Sequence, residues 1–222
     1  MKQHLIVIEG LDGSGKGTQT KQLCCALERL EIPFRHLTFP DYQEPSSALI
    51  KMYLNGEFGM NPSDVNAYAA SSFYAVDRFA SYRKFWKEDY LNGKWIIADR
   101  YATSNLIYQL AKLPREQWDA FIAWEDDFEY GKLGIPQPSR ILYLDMPPEI
   151  SQALLSGRYH GEESKKDIHE KNIEYLKSCR EGALYVAQKC GWEIISCASN
   201  GQPESIEAIH QKILKTISEE FC

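Results

Sequence analysis

The stretch HLIVIEGLDGSGKGTQT, residues 4–20, decides how the chain is read. Residues 4–9 are an apolar run rich in β-branched side chains, which predicts a buried strand ended by Gly10. Residues 10–16 then fit the spacing G-x-x-x-x-G-K, and a helical pattern follows with Thr18, Gln19 and Thr20 in its first turn. A strand, a glycine-rich turn, a lysine and a helix in that order predict a phosphate-binding loop. The glycines let backbone N–H groups turn inward around phosphate oxygens, and the helix N-terminus adds favourable partial charge. Gly10, Leu11, Asp12, Gly13, Ser14, Gly15, Lys16, Gly17 and Thr18 are therefore the candidate ATP-binding residues, with Lys16 as a point charge on the β- and γ-phosphates. One position departs from the usual loop. Gly17 stands where a hydroxyl normally ligands magnesium, and the first hydroxyl is Thr18. Mg2+ is thus expected either through waters or on Thr18.

Outward from this motif, short strand-like runs alternate with helical stretches. Residues 34–39, 94–99 (KWIIAD), 140–145 (RILYLD) and 192–197 (WEIISC) read as further strands bounded by Pro, Gly or Asn-Gly. Helical patterns cover 15–30, 46–55, 62–91, 149–156, 167–190 and 204–221. Strands separated by crossover-length helices predict an α/β three-layer sandwich around a mostly parallel sheet. Ligands then belong at the carboxyl ends of the strands, and the phosphate loop falls there.

Composition narrows the function classes. The 222 residues suit one domain, 1–222, with no internal repeat or linker. Lys and Arg total 25 against 31 Asp and Glu, a formal charge of −6, which excludes the broad basic face that duplex nucleic acid demands. No apolar run reaches the roughly 18 residues of a membrane-spanning helix. The six cysteines form no C-x-x-C pair and have no zinc-ligand spacing, so they read as reduced thiols in a cytoplasmic protein.

Residues 15–19, GKGTQ, resemble the loop of nucleoside monophosphate kinases. Three further stretches narrow the match: EGLDG at 9–13, the triplet Asp99, Arg100 and Tyr101 after the third strand, and YAVDR at 74–78. Together they resemble thymidylate kinases over nearly the whole chain. The resemblance implies a P-loop NTP hydrolase-like fold with a five-stranded sheet and a mobile lid, a homodimer, and transfer of the ATP γ-phosphoryl group to dTMP. It implies that Asp99 orders magnesium and its waters and that Arg100 grips the acceptor phosphate, where a guanidinium fork suits two oxygens. Tyr74 and Arg78, spaced i and i+4, share a helix face. The resemblance gives them stacking on thymine and donation to a base carbonyl, with Phe73 as the alternative stacker. Asp12 is implied to face the deoxyribose 3′-hydroxyl, and Ser104, Tyr108 and Gln109 to lie in the acceptor pocket.

The lid falls at about 155–170, where Arg158, Lys165 and Lys166 are the candidate catalytic cations. Some thymidylate kinases carry a basic residue at the place of Gly13, and others have glycine and use a lid arginine. Gly13 puts this chain with the second kind, and Arg158 is the first choice. Tyr42 in the segment FPDY at 39–42 departs from the arginine that many relatives place on the acceptor phosphate. Two other readings stay open: a kinase for UMP, CMP, AMP or a deoxynucleoside, and a non-catalytic nucleotide-binding module. The aromatics of 62–91 exceed what one core face needs, in keeping with a homodimer.

Overall fold

In a computed structural model, described over residues 4–158 and 167–221, the sheet is five-stranded and wholly parallel, in the order β2-β3-β1-β4-β5. The strands are β1 (Leu5–Gly10), β2 (Phe34–Thr38), β3 (Trp95–Asp99), β4 (Arg140–Asp145) and β5 (Glu193–Ser196). β1 is central and buried along its whole length, because both sheet faces are covered. Ile6 and Ile8 point to one face and pack with Leu23 and Leu27 of α1 (Lys16–Arg29). The same layer includes Ile209 and Ile213 of α9 (Ile206–Thr216). Leu5 and Val7 point to the other face, beneath Tyr82, Trp86, Tyr90 and Tyr101. A third cluster joins α5 (Thr103–Gln109), α6 (Trp118–Asp126) and α8 (Ile173–Cys190).

The strands lie within a residue of where the sequence puts them, and the helices depart in informative ways. The stretch 62–91 divides into a 3-10 turn Pro62–Asp64, α3 (Ala67–Ser81), a π-helical turn Tyr82–Trp86 and α4 (Lys87–Leu91). Asn66 starts α3 by accepting the Ala69 N–H at 2.9 Å. The helix read from 167 begins only at Ile173, capped by Asn172. Before it, the Asp167 carboxylate accepts the His169 and Glu170 N–H groups and holds a turn. α2 (Ala48–Leu54) and α7 (Pro148–Arg158) match expectation, whereas α5 and α6 lie outside the expected helical stretches. Six of the seven residues of α5 are buried, so no polar face marks it as amphipathic. Ala198–Ser199 (β6) and Gln202–Pro203 (β7) form a small antiparallel ribbon. Lys165 and Lys166 lie outside the described residues. Among those described, Cys24, Cys25, Cys179, Cys190 and Cys197 form no disulfide, and no helix is long and apolar enough to cross a membrane.

The topology gathers the functional segments. β1 lies between β3 and β4, so the loop after β1 emerges beside the carboxyl ends of both.

Candidate active site

The loop from β1 to α1 has the backbone of an anion cradle. Gly13 and Gly15 have φ of 80° and 93°, in the left-handed region, and Gly15 is the N-cap of α1. The Ser14 hydroxyl is buried inside the loop with no hydrogen-bond partner among the described residues, an orphan that a phosphate oxygen would satisfy. Lys16 is buried too, its Nζ donating to Leu11 O at 2.9 Å and lying 3.8 Å from Asp12 Oδ1. Burial and then the Arg100 charge depress its pKa. A Cβ on Gly13 would meet Ser151 O at 2.4 Å, so α7 sits directly on the loop and no larger residue fits there.

The carboxyl end of β3 brings Asp99 and Arg100 to this loop. Asp99 Oδ2 would lie 3.3 Å from a Cβ on Gly17. One carboxylate beside an exposed Gly17 and Thr18 suits Mg2+, which keeps several waters and needs few protein ligands. Among the described residues, no cluster of three or more metal-ligating side chains exists. Arg100 has φ of 69°, unusual for a residue with a Cβ. Glu9, fully buried at the end of β1, braces this turn: Oε1 accepts the Tyr101 N–H and the Thr103 hydroxyl at 3.0 and 2.7 Å, and Oε2 accepts the Ser104 hydroxyl at 2.7 Å. Burial raises the Glu9 pKa against the opposing charge of Arg100.

The Arg100 guanidinium reaches back over the loop. Nη2 donates to Asp12 Oδ1 at 2.5 Å and to the Tyr108 hydroxyl at 3.0 Å, and that hydroxyl donates to Asp12 Oδ2 at 2.9 Å. Burial pulls the Asp12 carboxyl upward, yet Arg100, Lys16 and Tyr108 together hold it well below the usual carboxylate range. Asp12 therefore stands as an anion that pairs both cations of the site.

From Arg100 a cleft of about 270 Å³ opens between α3, α5, the 39–42 segment and the 167–170 turn. Asp77 of α3 ties the 39–42 segment down by accepting the Asp41 N–H at 2.9 Å and the Ser46 hydroxyl at 2.6 Å. Tyr74 and Arg78 both line the cleft. Arg78 is buried and forks onto Glu129, with Nε donating to Oε2 at 2.8 Å and Nη2 to Oε1. His169 closes another wall, stacked on Tyr108 at 5.4 Å between ring centroids, with Nε2 2.7 Å from the Tyr53 hydroxyl. Phe73 is not on the cleft; it packs against Tyr53 and Phe58.

Residues 8–213 match the family model described as thymidylate kinase. The chain belongs to the thymidylate kinase family. It is 30% identical over 192 residues to the Mycobacterium tuberculosis thymidylate kinase, covering 85% of this chain and 87% of that one. The Plasmodium falciparum thymidylate kinase is 29% identical over 217 residues, covering 98% of this chain and 90% of its own. The solved thymidylate kinase of Candida albicans has the same fold, with a TM-score of 0.71 at 22% identity, over 99% of this chain and 92% of that one.

Of the residues that the thymidylate kinase resemblance nominated, Asp12, Tyr42, Tyr74, Arg78, Arg100, Ser104, Tyr108 and Gln109 line the one cleft. Lys16 and the phosphate loop adjoin it through Asp12. Arg158 ends α7, the helix seated on Gly13. Several site residues escaped the sequence reading: Glu9, Asn105, Glu125, Glu129, Asp167 and His169. Glu125 and Glu129 did leave a signal, two acids four apart within the aromatic run of 118–130 (WDAFIAWEDDFEY), where an inward helix face has no ordinary use for charge. Asn105 left none, since asparagine after a strand reads as a turn.

Proposed function

We propose that the chain transfers the γ-phosphoryl group of ATP to dTMP, giving dTDP and ADP. The observation that carries this reading is the bridge made by Asp12 and Arg100: a nucleotide-phosphate cradle on one side, a base-sized cleft on the other, and an arginine between them. In an in-line displacement, an acceptor phosphate oxygen bonds to the γ-phosphorus as the bond to the β,γ-bridging oxygen breaks. The attacking oxygen is already ionised, so the protein's task is positioning and charge neutralisation. Arg100 holds the acceptor phosphate, and Asp12, released from that ion pair, faces the sugar hydroxyl. Tyr74 supplies the stacking face and Arg78 a donor for a base carbonyl. Tyr42 adds one hydroxyl to the phosphate end of the cleft.

Lys16 and the loop N–H groups hold the β- and γ-phosphates of ATP. Asp99, with Thr18 or through waters, would hold Mg2+, which supplies neutralisation of the phosphate charge. Arg158, Lys165 and Lys166 bring the lid's positive charge to the transferring group. The segment 155–170 serves as that lid, over one domain. The working form is a cytoplasmic homodimer; its support is an exposed apolar stripe on α3 and the absence of disulfides among the described cysteines.

The test is a panel of acceptors with ATP and Mg2+, read as ADP release. dTMP is expected to give the highest kcat/KM, ahead of dUMP, UMP, CMP, AMP and thymidine. A higher value for any ribonucleotide would displace dTMP, and no turnover with any acceptor would favour a nucleotide-binding module.

A further inference from the structure

Behind the cleft lies a buried group of charges that phosphoryl transfer does not itself require. Glu125, in the last turn of α6, and Glu129, in the π-helical turn Asp127–Lys132, are 3% and 0% exposed, against Arg78 at 2%. Two carboxyl groups therefore face one guanidinium where water is excluded. Ionising both would leave a buried charge uncompensated, so one of them must keep its proton.

The hydrogen bonds say which. Glu129 takes both Arg78 donors and also the Asn105 Nδ2 donor, on Oε1 at 3.1 Å. Among the described residues, Glu125 accepts only from Asn105 Nδ2, on Oε1 at 2.6 Å. Its other oxygen, Oε2, is buried with no donor to accept from among the described residues. A carboxylate surrounded by N–H groups is the charged member of such a pair, and an oxygen without a donor is where a proton sits.

We propose that Glu125 is a neutral carboxylic acid donating its proton to Glu129, and that this acid pair positions Arg78 and Asn105 at the floor of the acceptor cleft. Burial first, and then the neighbouring Glu129 charge, drive the Glu125 carboxyl well above its usual range against the pull of Arg78. The other titratable groups facing the pair are Tyr101, which follows β3, and Tyr130 of the same π-helical turn. Burial raises both phenols, so they stay neutral. The Arg78 charge is thus compensated within the protein, which leaves it a hydrogen-bond donor for a neutral oxygen. Anion attraction is left to Arg100 and Lys16 at the other end of the cleft. The same pair draws the Asn105 amide nitrogen inward, together with Ser71 O at 3.3 Å, so its carbonyl is the end available to a ligand. The kinetic consequence rests on the reading of the cleft as the dTMP site, whereas the protonation state does not.

The experiment is an infrared difference spectrum of ligand-free wild type minus Glu125→Gln at pH 7. A protonated-carboxyl C=O band is expected in the wild type and lost in the variant; any other protonated carboxyl contributes to both spectra and cancels. Absence of a difference band overturns the inference. Kinetically, Glu129→Gln should raise KM for dTMP about tenfold to a hundredfold, the loss of one charge-assisted hydrogen bond. KM for ATP should stay within about threefold, since Arg78 contacts the acceptor side alone. Glu125→Leu should raise KM for dTMP too, and Glu125→Gln, which keeps an N–H donor toward Glu129, should recover most of the loss. Should Glu129→Gln fail to fold, Glu129→Asp carries this arm with the same expectation in smaller degree. Glu125→Gln as damaging as Glu129→Gln would mean that Glu125 is a carboxylate, and KM for dTMP unmoved in the Glu129 variants would overturn the positioning role. Failure of the wild type to use dTMP would fault the functional reading instead, and the infrared band would be unaffected by it.

Discussion

Gly13 shows at the residue scale how a local conformation carries function. Its φ of 80° admits a side chain only with strain, and its missing Cβ lets Ser151 O approach to 2.4 Å of that position. The close seat puts α7, which ends at Arg158, directly on the phosphate loop. Gly13→Ala is therefore expected to lower stability by about 1–3 kcal/mol from backbone strain alone, and to raise KM for ATP as α7 is pushed off the loop. Urea denaturation and an ATP titration check both effects; wild-type values in each would show that α7 does not depend on this contact. The sequence announced the glycine, because G-x-x-x-x-G-K fixes the loop by spacing. It could not announce Ser151, which meets Gly13 only through tertiary packing. Glu9 is the same lesson in reverse. It was read as the last residue of a strand, yet its two oxygens hold the Arg100 turn through Tyr101, Thr103 and Ser104.

At the scale of elements, legibility followed hydrophobic period. The strands were clear because both sheet faces are buried, which makes each a compact apolar run between turn residues. α5 was silent for the same physical reason: a helix wrapped on nearly all sides loses the polar stripe that reveals it, whereas the inward stripe of α6, Trp118, Phe121 and Ile122, is interrupted by the buried Glu125. The 167–170 turn was absorbed into the following helix, although it supplies Asp167 and His169 to the cleft. Burial, and next the Lys112 charge, hold His169 neutral with a pKa of about 3. Below pH 6.5 the unfolded chain binds a proton there that the folded chain refuses, so folded stability falls as pH drops. Asp167 acts oppositely: burial and then Asp12 raise it to about 7, so below that pH it is the folded chain that holds the extra proton and gains stability. Lys112, pushed down to about 7 by burial, contributes only above that pH. Between pH 7 and 5 the His169 and Asp167 contributions therefore form an opposed pair. His169→Gln removes one side of it, so its stability relative to wild type should improve by about 2 kcal/mol between pH 7 and pH 5. Denaturant midpoints of both proteins across that range measure the gap, and a gap independent of pH would mean that His169 titrates normally.

At the scale of the whole molecule, α3 works on two sides. One face lines the cleft with Tyr74 and Arg78, and the opposite stripe leaves Tyr68, Val76 and Phe79 exposed. The stripe runs onto α6, where the Tyr68 ring meets Trp124 at 4.7 Å, and Trp124 stacks on Phe128 at 5.0 Å. An apolar surface on a single element is best buried against its own copy, since a two-fold axis makes one patch serve both sides. The proposed homodimer would then rigidify the helix that carries Tyr74 and Arg78, linking assembly to acceptor binding. Val76→Arg places two like charges close to that axis without touching the cleft face. Wild type is expected to sediment as a dimer at micromolar concentration and Val76→Arg as a monomer, with KM for dTMP rising in step with dissociation. A wild type that sediments as a monomer would remove the dimer from this account, and a monomeric variant with unchanged KM would separate assembly from the acceptor cleft.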